Sequence, residues 1–522
     1  MSLRDALLGS GARAMTIAPI LSTDQVAQLR DALRQHFTSA LVEQTLGLVG
    51  RAALARSDLA GAERVTRGDS PTATLIRLFM LGLPVQRRSA QSALLGWPVA
   101  EAIQVGLVEA GPEGTVRARL DLRPYSEADG PDWWVISDLA ADVGGGPLEP
   151  EHVLGVGSAA LTLAQATVRA PVNSALDIGT GCGIQALHLS RHARSVTATD
   201  LSRRALALAA TTAALNGLNW DLRAGSLLDP VRGQSFDLVV SNPPFIVGPG
   251  FDVAPGGSGF RYRDSGLAGD GVCARLVREI PGVLSDGGTG QLLANWIIGA
   301  EEPWAQRLEG WLAGSHCDAW VWQREVADPG EYVALWLRDA GDTVGSPTWS
   351  RRYDDWLEWF QAAGVLGIGM GLVSLRRTGS ADPIIVCEDV RQAIEQPSGA
   401  EVSGWFDRAQ WLRERPPGRL GDQALLGSTL RTAQDLVLTR QALIGSDGWT
   451  DAVMMLRQSH GLGWEIEIDE AVAGVLAACT GTLPVHTLVS VLAAATGEPE
   501  LDLGAALLPV LRDLVSRGFL LP

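Results

Sequence analysis

Asn242-Pro243-Pro244-Phe245 places an amide side chain, two rigid rings and a flat aromatic face in one turn, directly after Leu238-Val239-Val240 and Ser241. An amide or nucleobase amino nitrogen is a poor nucleophile because its lone pair is delocalised. The Asn242 side-chain oxygen and the Pro243 carbonyl can accept its two N–H bonds and aim the lone pair at an electrophile. Pro243 and Pro244 stiffen the turn, so both acceptors are preset. Phe245 offers a surface on which a planar amide or base can stack. Little proton chemistry is needed beforehand, since the proton can leave once the nitrogen is cationic.

A second stretch, Asp177-Ile178-Gly179-Thr180-Gly181-Cys182-Gly183, ends an earlier apolar run. A Gly-rich turn between strand and helix lets the backbone approach a ligand where side chains would block it. Such a turn alone is common to several nucleotide folds. Asp177 at its start would repel a pyrophosphate and suits a cationic amino group. Asp200 follows 23 residues on, at the end of the next apolar run, where it can reach two ribose hydroxyls.

The elements that must position these residues alternate. Strands are expected at 174–178, 195–199, 221–224 and 236–241, and helices at 184–191, 202–216 and 268–285, with Ser202 as N-cap and Gly217 after the C-terminus. Further strands at 290–297, 316–324 and 332–338 complete a seven-stranded sheet, the last two paired antiparallel through Asp328-Pro329-Gly330. This alternation predicts an α/β fold, a mainly parallel sheet with helices on both faces.

Together the two stretches resemble the class I S-adenosylmethionine-dependent methyltransferases. The likeness is to the amino-group branch: release-factor glutamine methyltransferases, adenine-N6 enzymes and small-domain ribosomal RNA guanine methyltransferases. It covers about residues 150–340 and implies a Rossmann-like core with S-adenosylmethionine as cofactor. By this resemblance Asp177, Gly179, Thr180, Gly181 and Gly183 line the methionine and ribose portions. Asp200 binds the ribose hydroxyls, Leu201 lies against the adenine, and Ser226 and Leu227 meet the adenine edge. Many relatives carry an acidic residue where this chain has Ser226. Gly155 and Gly157 precede the core where relatives often touch the cofactor. Asn242, Pro243, Pro244 and Phe245 are the implied catalytic residues, with Asn242 also at the cofactor and Phe245 at the substrate. Tyr262, in the Gly-rich segment Gly248–Asp270, is a candidate substrate contact on a lid.

Composition narrows the rest. At 522 residues, 46% hydrophobic and 19% charged, the chain is globular and large enough for two to four domains. It contains no lysine, which excludes a lysine Schiff base and a Walker lysine. Five scattered cysteines give neither a disulfide framework nor a thiolate zinc site. His188 and His192 have metal-compatible spacing but no supporting motif, so a packing role is favoured and no metal is expected. The longest uncharged apolar stretch, Val365 to Leu375, is too short for a bilayer, and the N-terminus shows no secretory signal; cytoplasmic residence is expected. The net charge of −17 disfavours a long nucleic-acid footprint. Residues 1–100, with eleven Arg against seven acidic residues, leave a local polyanion contact open.

We expect four regions: a mainly helical N-terminal domain (1–112), the methyltransferase core (113–344), a connecting α+β region (345–440) and a C-terminal domain (441–522). Both terminal domains suit winged-helix modules, the first through a hairpin over Thr115–Leu122. The leading functional reading is transfer of a methyl group to a protein glutamine amide. An RNA or DNA base methyltransferase is the chief rival. A small-molecule methyltransferase and a non-catalytic cofactor-binding protein complete the alternatives. Acceptor identity and oligomeric state are not readable from the sequence.

Overall fold

Val172–Ile178 supplies four consecutive buried residues, Ala175 to Ile178, as expected of a strand covered on both faces. In the computed structural model, which describes residues 17–127, 130–140, 143, 151–250, 267–445 and 448–522, this strand pairs in parallel with Ala193–Asp200 on one side and Phe236–Ser241 on the other. The chain divides into two units. The first comprises Met1–Ala164, Pro171–Ser315 and Glu325–Val373, and the second Gln165–Ala170, His316–Arg324 and Ser374–Pro522.

In the first unit the strand order is residues 365–373 of Val365–Arg377, then Leu284–Gly299, Phe236–Ser241, Val172–Ile178, Ala193–Asp200, Asp221–Ala224. The helices Ile184–Leu189, Arg203–Leu215 and Gly271–Glu279 follow their strands as the alternation predicts. The Ser202 side chain accepts the Ala205 N–H, and Gly217 adopts φ +69° just beyond the helix. Register then converts sequence spacing into adjacency. Ile178 sits opposite both Thr199 and Ser241, so the residues that follow each strand emerge side by side at the carboxyl ends. The Ser241 hydroxyl donates to the Ile178 carbonyl (2.9 Å), locking the two strand ends together.

Two expectations are corrected. The strand at 332–338 is a helix, Pro329–Asp339. Asp328 is its N-cap, accepting from Gly330 N and Glu331 N, and Pro329 fills the first turn, where a missing N–H costs nothing. Tyr332, Val333 and Leu337 are its buried residues, a helical rather than alternating spacing. The seventh sheet position expected there is not formed by this segment, and Val365–Arg377 lies beside Leu284–Gly299 instead. The hairpin over Thr115–Leu122 also resolves differently. Thr115–Ala118 pairs with Val85–Gln86 and Val108–Ala110, whereas Leu120–Tyr125 pairs antiparallel with Trp133–Asp138.

In the second unit, Ala319–Gln323 pair in parallel with Ile385–Asp389. Trp320 stacks on Trp405 (5.0 Å between centroids) and donates to Glu388 (2.7 Å). Helices Glu470–Ala478, Val485–Thr496 and Glu500–Ser516 pack into a common core with the small antiparallel sheet Thr480–Pro484, Thr429–Thr432, Leu520–Leu521. No described helix is long and apolar enough to cross a membrane.

The corrected helix has a consequence for the first unit. The buried Tyr332 hydroxyl accepts from Val247 N and from Asn295 Nδ2, both at 2.9 Å, and Trp356 Nε1 donates to the Val247 carbonyl (3.2 Å). Tyr332→Phe leaves two buried donors unpaired, so we expect a loss of about 1–3 kcal/mol in chemical denaturation with little change in secondary structure.

Candidate active site

The Gly-rich turn is built by backbone necessity. Gly179, Gly181 and Gly183 all have positive φ (+73°, +56° and +94°), a region costly for other residues. At Gly183 a side chain has no room either, since a Cβ there would lie 2.6 Å from the Trp220 ring. Gly179 N and Thr180 N both donate to the Thr199 carbonyl (2.9 and 3.0 Å), which pins the turn to the neighbouring strand.

Asp177 is fully buried beneath this turn. Its Oδ2 accepts from the Thr180 hydroxyl (2.6 Å) and Ala186 N (3.2 Å), so it braces the turn from inside. Its Oδ1 is buried with no hydrogen-bond partner among the described residues. Burial raises its pKa to about 7, against the opposing hydrogen bonds. Asp200 accepts from Gly181 N (2.9 Å) through Oδ2 and from Ser202 N (2.8 Å) through Oδ1, and burial raises its pKa as well. Each of its oxygens keeps a second lone pair for a hydroxyl. Leu201 is 60% exposed, an apolar side chain offered to solvent at the strand end. Ser226 and Leu227 are half-buried on the next turn, where Leu227 adopts φ +46° and its carbonyl accepts from the Thr199 hydroxyl (3.2 Å). An uncompensated buried carboxylate oxygen, glycines that admit a backbone-close ligand, an acid with lone pairs to spare and an exposed leucine suit the ammonium, ribose and adenine of S-adenosylmethionine.

Asn242, Pro243, Pro244 and Phe245 line a cavity of about 350 Å³. Gly155 and Gly157 line it too, together with Asp121, Arg123, Asp138, His152, Trp336 and Asp339. Asn242 Oδ1 is buried and has no hydrogen-bond partner among the described residues. Phe245 and Trp336 meet edge to face, with centroids 6.0 Å apart. Tyr262 lies outside the described residues, as does most of the Gly-rich segment proposed as a lid; at its base Gly269 N donates to the Gly248 carbonyl (2.8 Å).

Sequence reasoning missed the charged and aromatic residues that line the cavity together with the Asn-Pro-Pro-Phe turn. Asp138 receives Arg204 through two hydrogen bonds (2.7 and 2.5 Å) and Val153 N (2.8 Å), and so fixes the segment carrying His152, Gly155 and Gly157. Cys182, inside the Gly motif, donates to the Leu154 carbonyl (3.1 Å) and links that segment to the turn. Burial lowers the His152 pKa despite the nearby Asp138 carboxylate, which pulls it the other way. Arg123 is paired with the buried Asp121. His188, for which a packing role was expected, contacts the Tyr125 hydroxyl (2.7 Å) and Glu127 (3.0 Å). The Gly-rich segment before Ser158 and the spacing of Tyr332 and Trp336 were the only signals in the sequence.

The raised pKa of Asp177 makes a stability prediction. A carboxyl with a higher pKa in the folded state contributes stability while protonated and loses it as pH rises toward that folded value. Relative to isosteric Asp177→Asn, the ligand-free protein should therefore lose up to about 1.4 kcal/mol per pH unit between roughly pH 4 and 7, then run parallel. Denaturation of both proteins across pH 4–8 measures the difference directly.

Parts of the chain are similar to known proteins. Residues 153–254 match the family described as methyltransferase small domain. Residues 34–119 and 403–522 match two families described only as domains of unknown function, DUF7059 and DUF7782. A release factor glutamine methyltransferase of Deinococcus radiodurans is 42% identical over 120 residues, 22% of this chain and 42% of that protein. One of Xylella fastidiosa (strain Temecula1) is 34% identical over 168 residues, 32% of this chain and 51% of that protein. A ribosomal RNA small subunit methyltransferase C of Alcanivorax borkumensis is 31% identical over 134 residues, 26% of this chain and 34% of that protein. The chain thus spans about half or less of the length of these curated relatives. Within it, residues 153–254 carry a methyltransferase small domain of the kind the sequence motifs resemble.

Proposed function

We propose that this chain is an S-adenosylmethionine-dependent methyltransferase that modifies the side-chain amide of a glutamine in a protein. The observation that carries the reading is Asn242 Oδ1, a buried acceptor on the cavity wall with no partner among the described residues. A buried acceptor without a donor costs about 1–3 kcal/mol, and an amide NH₂ supplies the donor it lacks. Asn242 Oδ1 and the Pro243 carbonyl hold the two N–H bonds of the acceptor nitrogen. The edge-to-face Phe245 and Trp336 confine its plane. S-adenosylmethionine, when bound, supplies an electrophilic methyl group. Asp177 Oδ1 meets the cofactor's ammonium, Asp200 its ribose hydroxyls, and Leu201, Ser226 and Leu227 its adenine. These residues contribute position and preset electrostatics rather than proton transfer.

The charge of the cavity supports a protein over a nucleic acid. Asp121, Asp138 and Asp339 line it, with Arg123 paired to Asp121 and Arg204 to Asp138, so the cavity offers a phosphodiester no surplus of positive charge. Two of the relatives reported above are named as release factor glutamine methyltransferases, which supports the same choice. The relative named as a ribosomal RNA methyltransferase and the arginine excess of residues 1–100 are what favour the rival base-modifying reading.

Asn242→Ala should lower methyl transfer to a glutamine-bearing protein acceptor by about 100-fold or more, the range for loss of one preset polar contact, while S-adenosylmethionine binding stays measurable. Transfer assays with labelled methyl donor, paired with calorimetry, check both halves. Undiminished transfer by the variant would remove the proposed role of Asn242.

A further inference from the structure

The sheet fixes the Asn-Pro-Pro-Phe turn at one end only. Ser241 is paired with Ile178 on one side and Leu292 on the other, and Asn242 to Ile246 then leave the register. Pro243 and Pro244 have no N–H, so two of those five residues can donate no backbone hydrogen bond. The next residue, Val247, is held at both backbone groups by side chains from two helices. Its N–H donates to the Tyr332 hydroxyl (2.9 Å) on Pro329–Asp339, and its carbonyl accepts from Trp356 Nε1 (3.2 Å) on Pro347–Ala362. The same hydroxyl accepts from Asn295 Nδ2 (2.9 Å), on the strand that pairs with Phe236–Ser241. Tyr332 thereby ties the far end of the turn back to the sheet.

The fit around this clamp is close. Tyr332 is fully buried, and the Trp356 ring stands at 90° to it with centroids 6.4 Å apart. Gly248 lies so near Trp356 that a Cβ there would be 3.1 Å from the indole. Trp336, four residues after Tyr332 and so on the same side of its helix, meets the Phe245 ring. One helix therefore sets both the backbone just after the turn and the ring within it. Tyr332 and Trp356 both lie beyond residues 153–254, the segment similar to the methyltransferase small domain.

We propose that Tyr332 and Trp356 are positioning residues for methyl transfer: by clamping Val247 they set where Asn242 Oδ1 and the Pro243 carbonyl stand relative to the methyl donor. The inference rests on the reading of Asn242–Phe245 as the acceptor site, whichever acceptor it takes. A displacement of about 1 Å at such groups costs on the order of 100-fold in rate. Asp177 and Asp200, which carry the proposed cofactor contacts, are braced by other partners, so cofactor binding is independent of the clamp.

Tyr332→Phe removes the acceptor of the Val247 N–H and keeps the ring. Trp356→Phe removes the donor to the Val247 carbonyl and keeps an aromatic face against Gly248. Calorimetry counts the S-adenosylmethionine-binding sites in each preparation. The initial rate of labelled methyl transfer into lysate from cells lacking the gene, read in whichever fraction takes the label, is divided by that count. Loss of folded protein lowers sites and rate together and leaves the rate per site unchanged, whereas misplacement of the turn lowers it. Each variant should bind S-adenosylmethionine with unchanged affinity and transfer about 10- to 100-fold more slowly per site. Because both side chains act on Val247, the double variant should lose much less than the product of the single losses. A wild-type rate per site in either single variant overturns the proposal, as does a double loss equal to that product. A wild type that labels no fraction overturns the acceptor reading itself, and the clamp's role with it.

Discussion

The parallel register between Val172–Ile178 and Phe236–Ser241 is the constraint on which the site depends. Ile178 opposite Ser241, sealed by the Ser241 hydroxyl on the Ile178 carbonyl, makes neighbours of two turns more than sixty residues apart in the chain. In a strand buried on both faces, a one-residue slip would exchange every side chain between faces and separate the two turns. The apolar runs on both strands therefore specify the site as much as its polar residues do. Leu238, Val239 and Val240 are all essentially buried, and they hold Asn242 where it can act.

The polar groups around that register fall into two kinds. Most are satisfied: Asp200 and Asp138 accept from backbone N–H groups, the Thr180 hydroxyl donates to Asp177, and Arg204, Arg123 and Tyr332 have buried or partly buried partners. Two acceptors are not, Asp177 Oδ1 and Asn242 Oδ1, both buried without a partner among the described residues. Folding a chain around uncompensated acceptors costs stability, and binding sites are where such a cost has a use. Asp177 in particular has a bracing role that its sequence position concealed, since one oxygen holds the Gly-rich turn while the other stays without a partner among the described residues.

Much of this was legible in the sequence, for physical reasons. Strand–turn–helix alternation from 172 to 299 shows in apolar runs, capping residues and glycines, which are local signals. Asp177, Gly179, Gly181, Gly183 and Asn242 stand out because few residue types can serve at such positions. Asp328-Pro329-Gly330 misled because a turn and a helix start share the same residues; only the spacing of Tyr332, Val333 and Leu337 separates them. The grouping of Asp138, His152, Trp336 and Asp339 around the cavity left only faint local signals. Its members come together through contacts such as Asp138 to Arg204, 66 residues apart, which no local pattern encodes. The two adjacent strands Thr115–Ala118 and Leu120–Tyr125 failed for the same reason, each choosing partners elsewhere in the chain.

If an amide NH₂ of a protein completes Asn242, the transferred methyl group must end up on protein. The most direct measurement incubates the purified protein and labelled S-adenosylmethionine with lysate from cells lacking its gene, then separates protein, RNA and small molecules. The account predicts label in the protein fraction, released on complete proteolysis as N-methylglutamine. Label confined to RNA or to small molecules would contradict it.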